Sequence, residues 1–127
     1  MNNEATLAFE KFATVGGRFN YTISLNKSGG FSFNSGFYKK HNLKSFHYVV
    51  LFYDKRGKAV AFDFVKKVEE GALKLSHRDN TASVKSSSFI AAYGIIPEAS
   101  AGRYHPKQYK AEEGKNLFYI LLRDDGN

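Results

Sequence analysis

The stretch "RFNYTISLN" constrains this chain more than any other. Phe19, Tyr21, Ile23 and Leu25 alternate with Asn20, Thr22, Ser24 and Asn26, the period of two that belongs to a strand with one buried face. A helix would scatter these four apolar side chains around its axis. "KSGG" follows, whose glycines accept positive φ, and "FSF" then supplies the return strand of a hairpin. Asn34 or Ser35 can cap a short helix in "SGFYKKHNL", which sets Phe37 and His41 one turn apart. A second hairpin is expected from the apolar run "FHYVVLFYD", the turn "DKRG" and the alternating "KAVAFDFV".

Beyond the exposed connector "KKVEEG" the order restarts. "GALKLSH" alternates, "RDN" turns, "TASVK" is a short strand, and "SSSFIAAYGI" reads as a serine-capped helix closed by Gly94. Leu73 and Leu75 lie 50 positions after Ile23 and Leu25, Val84 lies 51 after Phe33, and Phe89 and Ile95 lie 52 after Phe37 and Leu43. So small a drift across a whole unit indicates a diverged repeat, with units at about 18–66 and 71–125. "NLFYILLRD" would match "HYVVLFYD", and the second unit carries an insertion at about 96–116 that holds both prolines and reads as a long loop. The expected fold is mostly β with two short helices, in one domain over residues 1–127.

Composition narrows the function. Twelve Phe and eight Tyr are enough to fill one core, and the absence of Cys excludes disulfides and thiolate metal sites. No stretch approaches the roughly 20 apolar residues of a membrane-spanning helix, and no basic-then-apolar leader opens the chain, so a cytoplasmic location is expected. Four scattered histidines and unpatterned carboxylates give no metal spacing, "NKSGG" lacks the frame of a phosphate-binding loop, and Ser86, Ser87 and Ser88 have no activating partner motif. Neither catalysis nor a cofactor is expected.

What remains is charge. The net charge is +7, and between Lys39 and Lys67 eight cations face only Asp54 and Asp63. Such an excess suits a polyanionic partner, and equally suits a lysine-rich face that serves solubility. Lys39, Lys40 and Lys44 lie within about two helical turns, and Arg18 and Lys27 flank the first hairpin, expected to stand beside that helix. Lys55 and Arg56 occupy the turn of the second hairpin. A further basic and aromatic cluster, Arg103, Tyr104, His105, Lys107 and Tyr109, could grip a phosphate and stack on a base, or be a plain exposed loop.

The stretch "GGFSFNSGFYKKHNLKSFHYVVLFYDKRGKAVAFDFV" resembles the AbrB/MazE-like (SpoVT-AbrB) family. Phe31 and Phe33 take the apolar places of that family's early strand, "GFYKKHNL" its helix, and "YDKRGKAVAF" its hairpin. Asn34 stands where the family commonly has proline, and "KSFH" replaces its usual Gly-Asp. The resemblance covers residues 29–65 and implies a compact β-barrel built by pairing two such units, here a pseudo-dimer within one chain or a homodimer. It also implies a small non-enzymatic DNA-binding protein, a transcriptional regulator or accessory factor, with Lys27, Asn34, Lys39 and Lys40 near the family's contact positions. Duplex DNA is the favoured partner, with single strands or RNA open. The alternative is an antitoxin-like module that binds a protein through the N-terminal arm or the 96–116 segment.

Overall fold

A computed structural model describes residues 21–110 and 116–123. Arg18 and the N-terminal arm expected before it lie outside the described residues. Among the described residues nine strands form one antiparallel sheet: β1 (Ile23–Leu25), β2 (Gly30–Phe33), β3 (Tyr48–Asp54), β4 (Ala59–Val65), β5 (Ala72–Arg78), β6 (Thr81–Lys85), β7 (Gly102–Tyr104), β8 (Lys107–Lys110) and β9 (Asn116–Leu121). Their spatial order is β7-β1-β2-β6-β5-β3-β4-β9-β8. Strand β5 is the hinge of this order, because Ala72, Leu73 and Lys74 pair with β3 whereas Leu75 to Arg78 pair with β6. The sheet therefore has two half-sheets that share one strand.

The half-sheets curl until their inner faces meet. Phe31 and Phe33 on β2 reach Phe62 on β4, with ring centroids 5.1 and 5.6 Å apart, both edge to face. All three rings are fully buried among Ile23, Val49, Val60 and Ile120. The alternation read from the sequence sets this arrangement, since the inward members of β1 and β6 are Ile23, Leu25, Ala82 and Val84, each no more than 3% exposed. Edge-to-face rings add about 1 kcal/mol per pair to the area that they bury.

Turn and cap chemistry follows the residues. Gly29 adopts φ 94° in the β1–β2 turn, and the Asp54 carboxylate accepts from the Arg56 and Gly57 amides in the β3–β4 turn. Helix α1 (Ser35–Lys40) starts at Asn34, whose side-chain oxygen accepts from the Phe37 amide at 3.0 Å and from Thr22 at 3.1 Å. One side chain thus caps the helix and ties it to β1. A single 3-10 turn (Leu43–Ser45) leads to β3. Helix α2 (Ser87–Ala92) closes as expected at Gly94 (φ 65°), with the Ile95 and Gly94 amides donating to Ile90 and Ala91.

Three expectations need correction. Ser86 stands at the start of α2 but does not cap it: its buried hydroxyl donates to the Gly29 carbonyl at 2.6 Å, joining α2 to the first hairpin. There are three short α-helices among the described residues, not two. The third, α3 (Pro97–Ser100), lies within 96–116, so that segment is not a long loop but carries α3, β7 and β8. Pro97 sits in the first turn of α3, where its missing N–H costs nothing, and β7 and β8 pair with β1 and β9 respectively.

Strands β7 and β8 are the two sheet edges, yet only His105 and Pro106 separate them in the chain. The seam on this side is bonded by side chains. The Tyr104 hydroxyl donates to the Ser100 carbonyl and accepts from the Arg123 amide at 3.2 Å, the Ser100 hydroxyl donates to the Arg123 carbonyl at 2.7 Å, and the Arg123 guanidinium lies over the Tyr104 ring.

Candidate nucleic-acid interface

Helix α1 closes one end of the curled sheet. Phe37 points inward and meets Phe33 and Phe118, at 5.9 and 5.2 Å between centroids. Burying this face turns the basic residues of the helix to solvent, and Lys39, Lys40 and Lys44 are all exposed. Lys40 is partly held, its ammonium 5.2 Å from the centre of the Tyr21 ring.

Segments distant in sequence bring more cations to this end. The Tyr38 hydroxyl and the His77 Nδ1 lie 2.9 Å apart, which draws the end of β5 beside α1 and turns the next residue, Arg78, to the opposite face of the sheet. His77 Nε2 is 2.8 Å from the Phe46 carbonyl. A carbonyl can only accept, so in the neutral ring Nε2 carries the proton and Nδ1 accepts from Tyr38. The His47 amide bonds to the Val65 carbonyl and Lys66 lies 5.9 Å from the Phe46 ring, placing Lys66 and Lys67 on the same side. Sequence reasoning did not bring Lys66 and Lys67 to this end of the molecule. No local signal could assign them, because β-sheet pairings alone carry them to α1.

His41 ends α1 with its ring between Phe37 and Phe118, at 4.7 and 4.3 Å. Burial first, and the Lys40 ammonium second, push its pKa below the ordinary histidine value.

The other expected contact residues go elsewhere. Lys27 lies in the β1–β2 turn, at the far end of that hairpin from α1, which corrects the expectation that it stands beside the helix. Lys55 and Arg56 follow β3, whose seven residues carry them about 20 Å from the α1 end at ~3.3 Å per residue. Tyr53, just before them, packs on Phe89 and Tyr93 of the α2 region. Lys27, Lys55 and Arg56 thus form a second basic end, distinct from the first. Asn34 lies at the α1 end, with its oxygen committed to the cap.

The cluster expected at 103–109 is brought together in part: Tyr104, His105 and Lys107 border one pocket beside Arg123, whereas Arg103 and Tyr109 do not. Tyr104 is 4% exposed and its hydroxyl is used in the seam, so it is not available to stack on a base. Arg103, His105, Lys107 and Tyr109 are exposed, but Arg103 belongs to β7 in the first half-sheet while Lys107 and Tyr109 belong to β8 in the second.

Among the described residues no group of three or more His, Asp or Glu could hold a metal ion, and no helix is long and apolar enough to cross a membrane. No family model, curated protein or solved structure matches this chain.

Proposed function

We propose that the protein is a small DNA-binding protein that docks on duplex DNA through the α1 end. The observation that carries this reading is the gathering of Lys39, Lys40, Lys44, Lys66 and Lys67 from two separate segments around one helix. Exposed cations this close together repel one another, and phosphates relieve that repulsion while releasing counterions to the solvent. Affinity then comes from backbone charge, with modest dependence on sequence. The AbrB-like pseudo-dimer is part of the same reading. It draws on the recurrence of hairpin and helix, β1-β2-α1 and β5-β6-α2, and on the pairing of β2 with β6, where Ser32 meets Ser83, its counterpart 51 positions on.

Fluorescence anisotropy with random-sequence duplex across a salt series tests it. Substituting alanine for Lys39, Lys40 and Lys44 should lower the slope of log affinity against log salt by about 2.7, at about 0.9 per phosphate contact. The matching change at Lys27, Lys55 and Arg56 should leave the slope near wild type. Absence of binding at low salt, or equal losses in both variants, would overturn the assignment. The protein-interaction alternative gains one observation, that β7 and β8 are edge strands to which a partner's strand can add. Saturable binding of one purified protein without DNA affinity would favour it.

A further inference from the structure

The outer face of the first half-sheet is unusual in what it presents. The register pairs Arg103 with Ser24, Ser24 with Ser32, Ser32 with Ser83, and Ser83 with Ser76. Four serines and an arginine therefore lie in one line across five adjacent strands. At ~4.8 Å per strand the serines span about 14 Å and the whole line about 19 Å. Their chain neighbours Ile23, Leu25, Phe31, Phe33, Val84 and Leu75 are buried, so strand alternation sends each serine outward. None of the four hydroxyls takes part in a hydrogen bond among the described residues.

The rest of the face agrees with the row. Its other outward positions are Gly30, Thr81, Lys85 and Arg78, so the face carries three cations, no carboxylate and no large apolar side chain. Short side chains between long ones leave a shallow depression of about 500 Å³ over Ser24, Ser32, Ser76 and Ser83, with Arg78 at its margin. Asn34, the cap of α1, also borders this depression, which makes it continuous with the α1 end.

The chemistry of this face selects its ligand. Free hydroxyls donate hydrogen bonds, cations at both ends neutralise charge, and the one exposed ring that borders the depression, His77, is held by Tyr38 and the Phe46 carbonyl. A sheet face lying flat does not enter a groove to read base edges. Resting on the docking reading above, we propose that the serine row is a second contact surface of the protein for DNA. One strand's sugar–phosphate backbone crosses it, with Arg103 and Arg78 on phosphates at either end.

Ser83 is exposed and central, so its substitution tests the surface without disturbing the core. Ser83→Glu sets a carboxylate against the backbone and should weaken duplex binding about tenfold, while Ser83→Lys should strengthen it. Arg103→Ala should lower the salt slope by about 1. Gln108→Glu, on the edge strand of the other half-sheet, carries the same charge change as a control, and thermal melts confirm that each variant is folded. If Ser83→Glu binds no more weakly than Gln108→Glu, or Ser83→Lys fails to bind more tightly than wild type, the second surface is overturned while docking at α1 stands. A wild-type protein that binds no DNA overturns both.

Discussion

Removing one oxygen atom tests the bonded seam. Tyr104→Phe keeps the ring, so no cavity opens, and the guanidinium of Arg123, centred 4.2 Å from the ring, still has an aromatic face to rest on. What disappears is the hydroxyl that donates to the Ser100 carbonyl and accepts from the Arg123 amide. Each group loses a partner in a place where Tyr104 is only 4% exposed, so water cannot readily replace the hydroxyl. Leaving such a group unsatisfied costs about 1–3 kcal/mol. Two partly buried groups together give an expected loss of about 2–3 kcal/mol, and a fall in Tm of about 10 °C for a chain of this size. Urea denaturation supplies the free energy, with Tyr109→Phe as the matched control, because Tyr109 is 56% exposed and its change should stay within about 0.5 kcal/mol. Amide exchange at Arg123 should also accelerate in Tyr104→Phe. A stability within 0.5 kcal/mol of the control, with Arg123 exchange unchanged, would refute the account of the seam.

Asn34→Ala should cost about 1–2 kcal/mol, since a single oxygen serves both the α1 cap and the Thr22 amide, and loss of signal from α1 in helix-sensitive circular dichroism would accompany it. His41 gives a pH dependence whose sign is set by its depressed pKa in the folded state. The unfolded chain binds the proton more readily, so stability is full above the ordinary histidine value of about 6.5 and declines as pH falls through it toward the folded pKa. Urea midpoints measured between neutral and mildly acidic pH should fall in wild type and fall less in His41→Phe.

Local chemistry made much of the first half-sheet legible. Ile23 and Leu25, Ala82 and Val84, the glycines of the first turn, the Asn34 cap and the Gly94 stop all act within a few residues of themselves, and the structure places each as the pattern implies. Strands β7 and β8 were illegible for the opposite reason. Their three and four residues hold too little alternation to register, and they exist because β1 and β9 offer them free edges. The candidate site divides the same way. Lys39, Lys40 and Lys44 lie close in the chain and stay together, whereas Lys66 and Lys67 join them only through pairings far apart in sequence. The serine row was hidden for a further reason: its members are unremarkable one at a time, and only the register aligns them.

The pairing of Ile23 with Tyr104 spans about 80 residues of chain, and its consequence falls on synthesis. A ribosome adding about 5–20 residues per second leaves the outer edge of β1 without its neighbour for roughly 4–16 seconds after β1 emerges. Throughout that interval the strand offers bare amides and carbonyls to any other nascent chain nearby. Slower translation anywhere between β1 and β7 lengthens the exposure, so the yield of properly folded protein should fall when slow codons are placed in that stretch.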